Sequence, residues 1–230
     1  MPGGYFSEEE VAEVRAKYPA LELKSPGVLE GVLKMQAEYE GLRVDDDFLV
    51  RITALNPHSN RIPALYEIGG RTEAIAKKRR VRDQRDLHRN VDGTACVCVK
   101  QVEKEKFPLG SHLLVFVEEL AVPYLFGLNR YDQGGEWPWK DYSHGSLGLL
   151  EFYAEDMQEQ SRQDIAEILA TIKQDPEWSE YRKQLRKPSS KRACLCGSGK
   201  SFGKCHSRAW HGVRHLRAAL ERLDLNDLLT

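Results

Sequence analysis

Cys194, Cys196, Cys205 and His206 fall within one short stretch in the order Cys-x-Cys-x8-Cys-His. Three thiolates and an imidazole form a donor set that a tetrahedral zinc ion accepts, and four protein ligands leave no position open for water or substrate. The ion expected here is therefore structural. Gly197, Gly199 and Gly203 lie between the donors, and glycine tolerates positive φ without penalty, so a short loop can close on itself. A segment of this length builds no core alone, so the metal is expected to supply its folding free energy, on the order of 10 kcal/mol in zinc-finger peptides. The bland alternative is a group of surface thiols beside a chance histidine. The string Gly197-Ser198-Gly199-Lys200-Ser201 looks like the end of a phosphate loop, but that pattern needs glycine where Cys194 stands and a strand before it.

A second group of residues lies upstream: His88, Asn90, an Asp92-Gly93 turn, and Cys96 three residues after that glycine. A thiol just past such a turn can reach solvent, and nearby cations lower its pKa and make it a nucleophile. The charged residues 71–90, with the run Lys77-Lys78-Arg79-Arg80-Val81-Arg82, could supply them. A carboxamide at Asn90 could donate to the oxyanion of a thioester under attack. Against this stand two other fates for Cys96: a small apolar residue in a buried strand, or, with Cys98 two residues on, an oxidation-prone pair. His144, beside Asp141 and Tyr142, could act as an acid or base, or simply sit in an aromatic-rich turn.

Both groups need elements to hold them. Ser7-Glu8-Glu9-Glu10 has the form of a capping box and predicts a helix from there to Tyr18, ended by Pro19. Leu29, Leu33, Met35, Ala37 and Tyr39 alternate with Glu30, Lys34, Gln36 and Glu38, which is the period of a half-buried strand. Gly41 and Asp45-Asp46-Asp47 are expected to turn the chain into a second strand, Phe48 to Leu55, and Ala64 to Ile68 makes a third. Ala95 to Val99 is expected to be a short strand. Leu113 through Leu128 should form a buried helix that Pro123 kinks or restarts. The aromatic stretch Trp137 to Gly145 leads to a helix near Leu147 to Ala154, and Ile165, Leu169 and Ile172 mark another in 159–173. Lys187 to Lys191 reads as a linker, and Trp210, Val213, Leu216, Leu220 and Leu223 form one apolar stripe on a last helix. The fold class is α+β: a helix and antiparallel β-meander, C-terminal helices, and a small zinc module. Its expected parts are a domain over 1–157, a helical connector over 158–187, and the zinc module with its terminal helix over 188–230.

Composition narrows the class. With 41% hydrophobic and 30% charged residues, the chain can bury a core and is not wholly disordered. No apolar run is long enough to span a bilayer, and the first ten residues are acidic where a secretory signal is basic, so no membrane partner and a cytoplasmic location are expected. Five cysteines, an odd number, do not suit a secreted disulfide framework. From Arg182 to His215 there are ten Lys or Arg and no Asp or Glu; of 34 basic and 35 acidic residues this leaves 24 against 35 elsewhere, or −11. A segment so basic can meet nucleic acid, a ribosome or an acidic protein face, or merely stay solvated.

Two resemblances follow from these residues. Cys194-Leu195-Cys196-Gly197-Ser198-Gly199-Lys200-Ser201-Phe202-Gly203-Lys204-Cys205-His206 closely resembles the SEC-C motif, the zinc tail of the bacterial preprotein-translocase motor and of many other proteins. That resemblance implies docking to a protein or to the ribosome and says nothing of catalysis. His88-Arg89-Asn90 followed by Gly93-Thr94-Ala95-Cys96-Val97 resembles the active-site region of ubiquitin-conjugating enzymes, whose pattern is His-Pro-Asn and then Gly-x-x-Cys-Leu. Here Arg89 replaces proline, Val97 replaces leucine, and Asn90 precedes the cysteine by six residues where the family has eight. The order of expected elements over residues 7 to 155 is also similar, and the shortened loop and the stretch Trp137 to Tyr153 look like divergent bacterial members, some from antiphage operons. The resemblance implies that Cys96 carries a ubiquitin-like modifier as a thioester, received from a separate activating enzyme, that Asn90 supports the oxyanion, and that His88 holds the loop. The zinc tail would then recruit the target. The rival expectation is a non-enzymatic adaptor that uses the same tail.

Overall fold

A computed structural model describes residues 5–81, 84–99, 102–138, 142–155 and 160–229. Its contacts divide the chain into two compact units, 1–140 and 141–230.

In the first unit, α1 (Glu8–Lys17) begins at Ser7, whose side chain accepts from the Glu10 amide while the Glu10 carboxylate accepts from the Ser7 amide. Both halves of the expected capping box are present. Four strands follow, β1 (Leu21–Ser25), β2 (Val28–Tyr39), β3 (Leu42–Thr53) and β4 (Ala64–Glu67), as an antiparallel meander in chain order. The turn between β2 and β3 is only Glu40-Gly41, both with positive φ, as a two-residue hairpin turn demands. The three aspartates expected in that turn therefore lie within β3. Asp46 falls on the same parity as buried Val44, Phe48, Val50 and Ile52, and the structure pairs it with Arg71, 2.6 Å away, and gives it a hydrogen bond from the Asn129 carboxamide. Gly31 is obligatory for another reason: a Cβ there would stand 1.9 Å from the Ala20 carbonyl oxygen, where the chain enters β1.

Helix α2 (Arg71–Arg79) carries the start of the basic run; Lys78 reaches Asp132 and Arg79 covers the Tyr131 ring, while Arg82 lies outside the described residues. After a 3-10 turn at Gln84–Leu87, the segment 95–99 does not form the expected strand. It makes an isolated bridge, Ala95 to Arg89, with the Cys96 amide donating to the His88 carbonyl and the Ala95 amide to Leu65 of β4. Helix α3 (Glu103–Lys106) is short. The expected buried helix is α4 (Leu113–Phe116), a π-turn (Val117–Ala121) and α5 (Val122–Asp132), which run on without a break. Pro123 has no amide to offer the Glu119 carbonyl, and the widened turn just before it absorbs that loss. Leu29, Leu33, Phe48 and Ile52 from the sheet, Val14 from α1, and Phe116, Leu125 and Leu128 from the long helix make one core.

The second unit is helical: α6 (Gly145–Glu155), α7 (Arg162–Lys173), α8 (Trp178–Arg186), α9 (Phe202–Cys205), α10 (Ser207–Arg222) and a 3-10 turn at Asn226–Leu229. Helix α7 opens on a second capping box, Ser161 with Asp164. Its core joins Leu150, Ile165, Ile172, Leu185, Val213 and Leu220. Helix α6 belongs here because its backbone meets that of α10: a Cβ on Gly212 would lie 1.9 Å from the Leu150 carbonyl oxygen. The boundary drawn at 157 and the one found at 140 differ for this reason, and the cysteine loop is one corner of a ninety-residue unit. The expected residues Trp139 to Asp141, and Glu159 at the start of the predicted 159–173 helix, lie outside the described residues. No helix among the described residues is long and apolar enough to cross a membrane.

Candidate functional site

The metal-type site is built on a small hairpin and the helix end that follows it. Ala193 bridges Ser201, the Cys194 amide donates to the Lys200 carbonyl at 2.7 Å, and Phe202 donates to Arg192 at 2.8 Å. Between them Gly197 and Gly199 both take φ of 73°, which turns the chain after Cys196 so that Lys200 comes back against Cys194. Helix α9 then carries Cys205, and His206 sits at the break between α9 and α10. The four donor atoms lie within 4.8 Å of one another. Cys196 Sγ is 3.6 Å from Cys205 Sγ, and Cys194 Sγ is 3.0 Å from His206 Nδ1. Zinc–sulfur bonds near 2.3 Å place two tetrahedral ligands about 3.8 Å apart, close to the Cys196–Cys205 separation, so the donor set could hold a metal ion such as zinc.

The surroundings of the donors differ. Burial pushes the Cys194 thiol up to about 12. Burial also raises Cys196, but hydrogen bonds from the Ser198 hydroxyl and amide, with those from Cys194 and Cys205, bring it down to about 7. Phe202 is fully buried in the helical core and anchors the loop to it. Two contributors were not foreseen. Ser198 places its hydroxyl 3.2 Å from Cys205 Sγ, and Arg192 donates through Nη1 to the carbonyls of Lys183 and Lys187, both at 2.9 Å, tying the hairpin to the end of α8. A serine beside the cysteines was visible in the sequence; the use of Arg192 was not, because its partners are backbone atoms.

The upstream group also forms a hairpin. The Cys96 amide donates to the His88 carbonyl at 2.6 Å, Asn90 donates its amide to the Thr94 carbonyl at 2.8 Å, and Ala95 donates to Leu65 at 2.8 Å. His88, Asn90 and Cys96 thus share one tight ribbon at the edge of β4. Their side chains have separate contacts. The Asn90 carboxamide donates to Thr94 Oγ1 at 2.9 Å, and the His88 ring lies on Trp137 with centroids 4.6 Å apart. Cys96 is half-buried, with Sγ 4.0 Å from the Cys98 carbonyl. Cys98 is also half-buried at the edge of the core, where burial, then Glu103 and Cys96, push its thiol up to about 12. The tip of the ribbon is braced by His58, whose Nε2 is 3.0 Å from Asp92 Oδ2, a pair separated by 34 residues that no local pattern announces. His144 is half-buried beside Ser143, which is bound to Glu151. Comparison of the chain with protein-family models, curated proteins and solved structures gives no match.

Proposed function

We propose that the second unit is a zinc-ordered docking module of the SEC-C kind. The observation that carries this is the convergence of Cys194, Cys196, Cys205 and His206 within 4.8 Å; four protein ligands on one tetrahedral ion would leave no position for a substrate. Zinc suits three thiolates and an imidazole, has no redox chemistry of its own, and here would fix the loop that presents the basic surface. The test is the metal content of the purified chain: one zinc per chain is expected, falling to none in Cys205→Ser with His206→Ala. A protein purified without thiol oxidation or chelator that holds no metal overturns the reading.

A second activity is favoured by one specific arrangement, the ribbon that joins His88, Asn90 and Cys96 after a helix and a four-stranded meander and before a long buried helix. In this reading the first unit is a ubiquitin-conjugating-like domain. The Cys96 thiolate attacks the thioester carbonyl of a ubiquitin-like modifier on its activating enzyme, the carrier thiol leaves, and a target amine later displaces Cys96 to form an amide. The half-buried sulfur and the hairpin support it; Asn90 would have to exchange Thr94 for the oxyanion. Incubation with a ubiquitin-like protein, its activating enzyme and ATP should give a reductant-sensitive adduct that is absent in Cys96→Ala. An adduct that persists in that variant rejects it.

A further inference from the structure

Helix α10 and the metal hairpin carry cations that the fold does not use. Arg208 pairs with Glu155 at 2.7 Å, Arg217 with Glu221 at 2.6 Å, and Lys183 with Glu180 at 2.5 Å. Lys187, Lys191, Lys200, Lys204 and Arg214 are all exposed, and none of these five side chains has a hydrogen-bond or ion-pair partner among the described residues. A 2.9 Å hydrogen bond from the Gly203 amide to the Ser190 carbonyl joins the two arms of the hairpin that carry Lys191 and Lys200, and Lys204 follows on α9. His211 and His215 are exposed on α10 next to Arg214. A dication held by three thiolates would leave one net negative charge, which does not cancel this excess.

Such a surface would suit either an acidic protein or a phosphate polymer, and the apolar surface decides between them. Protein interfaces draw their affinity from aromatic and aliphatic anchors buried at the centre of the patch. Among the described residues, every exposed large hydrophobic side chain lies between Tyr5 and Leu109, in the first unit. The second unit keeps its large hydrophobic side chains, Trp178, Leu195 and Trp210 among them, buried or half-buried, and presents charge instead. Lysines on flexible stems, spread over two neighbouring segments, neutralise successive phosphates along a chain, and that contact needs no apolar complement.

We propose that the surface formed by Lys187, Lys191, Lys200, Lys204 and Arg214 binds the phosphodiester backbone of nucleic acid without sequence readout. This rests on the second unit being a metal-ordered docking module and names its partner. The measurement is fluorescence anisotropy of the full, zinc-bearing chain with mixed-sequence single-stranded RNA and with duplex DNA, over a range of salt. Five phosphate contacts predict a slope of log affinity against log salt of about −3.5 on the RNA, or about −4.5 on the duplex, and binding to either polymer with such a slope supports the proposal. The triple variant Lys191→Gln, Lys200→Gln, Lys204→Gln should flatten the RNA slope by about 2 and keep its zinc, so that lost binding is not lost folding. A zinc-bearing chain that does not bind at low salt, a triple variant that binds like the parent, or poly-glutamate that competes as well as RNA of equal charge would overturn it. A chain without zinc fails the docking reading instead, which the metal content reports separately.

Discussion

The same residue type does opposite things in the two cysteine-bearing hairpins. At 194–206 the thiols are crowded against one another and an imidazole, on a loop opened by two glycines with positive φ, so the four donors could share one metal ion. At 88–98 the two thiols are spaced along an extended segment: one is half-buried beside the Cys98 carbonyl, and its neighbour is pushed up to about 12 by burial. Cysteine becomes a ligand when short-range geometry gathers several of them. It becomes a nucleophile or an inert filler according to what distant segments place around it.

The strongest way to break that contrast is to remove a ligand. Cys205→Ser should abolish metal binding, an interaction on the order of 10 kcal/mol in zinc peptides. Hydrogen exchange should then quicken over 193–206 while the meander stays protected; a global collapse would mean that the units are not separate. Next come the two glycines that hold backbones in contact. Gly31→Ala and Gly212→Ala each drive a Cβ into a carbonyl oxygen 1.9 Å away, and overpacking of this kind costs about 1–3 kcal/mol or more. Calorimetry should show Gly31→Ala lowering the transition of the first unit with zinc retained, and Gly212→Ala lowering that of the second.

The thiols themselves sharpen the comparison further. With Cys98 at about 12, its thiolate fraction at pH 8 is roughly a thousandfold below that of an ordinary thiol, so alkylation mapped by mass spectrometry should mark Cys96 and spare Cys98. Because the folded pKa of Cys98 is raised, its contribution to stability is complete below the unfolded value, about 8.5, and is lost as pH rises from there towards 12. Denaturant midpoints of the first unit measured from pH 8 to pH 10 should fall, and less so in Cys98→Ala. The smallest effects are expected from the two capping boxes: Ser7→Ala and Ser161→Ala should each cost about 1 kcal/mol, in their own unit only.

What the sequence made legible follows the same division. The capping box at Ser7, the alternation along β2 and the Cys3His spacing are all written within a dozen residues, and each has its counterpart in the structure. Strand β1 was missed because only Leu21 of its five residues is buried, which leaves no alternation to read. The three aspartates of β3 read as a turn, since the Arg71 that lets Asp46 face inward lies 25 residues on. Helix α8 escaped separate notice because just Tyr181, Gln184 and Leu185 are buried on it. Around Cys96 the decisive neighbours, Trp137 against His88 and His58 against Asp92, come from far along the chain, so spacing alone could name candidates without saying what surrounds them.

The close approach of Gly212 to Leu150 makes the metal loop less portable than its thirteen-residue signature suggests. A peptide starting at residue 188 would keep every donor and most of the positive charge, yet it would expose the flank of α10 that α6 normally covers. Evolutionary shuffling, or an engineer wishing to graft the loop elsewhere, would have to carry the segment from residue 145 along with it.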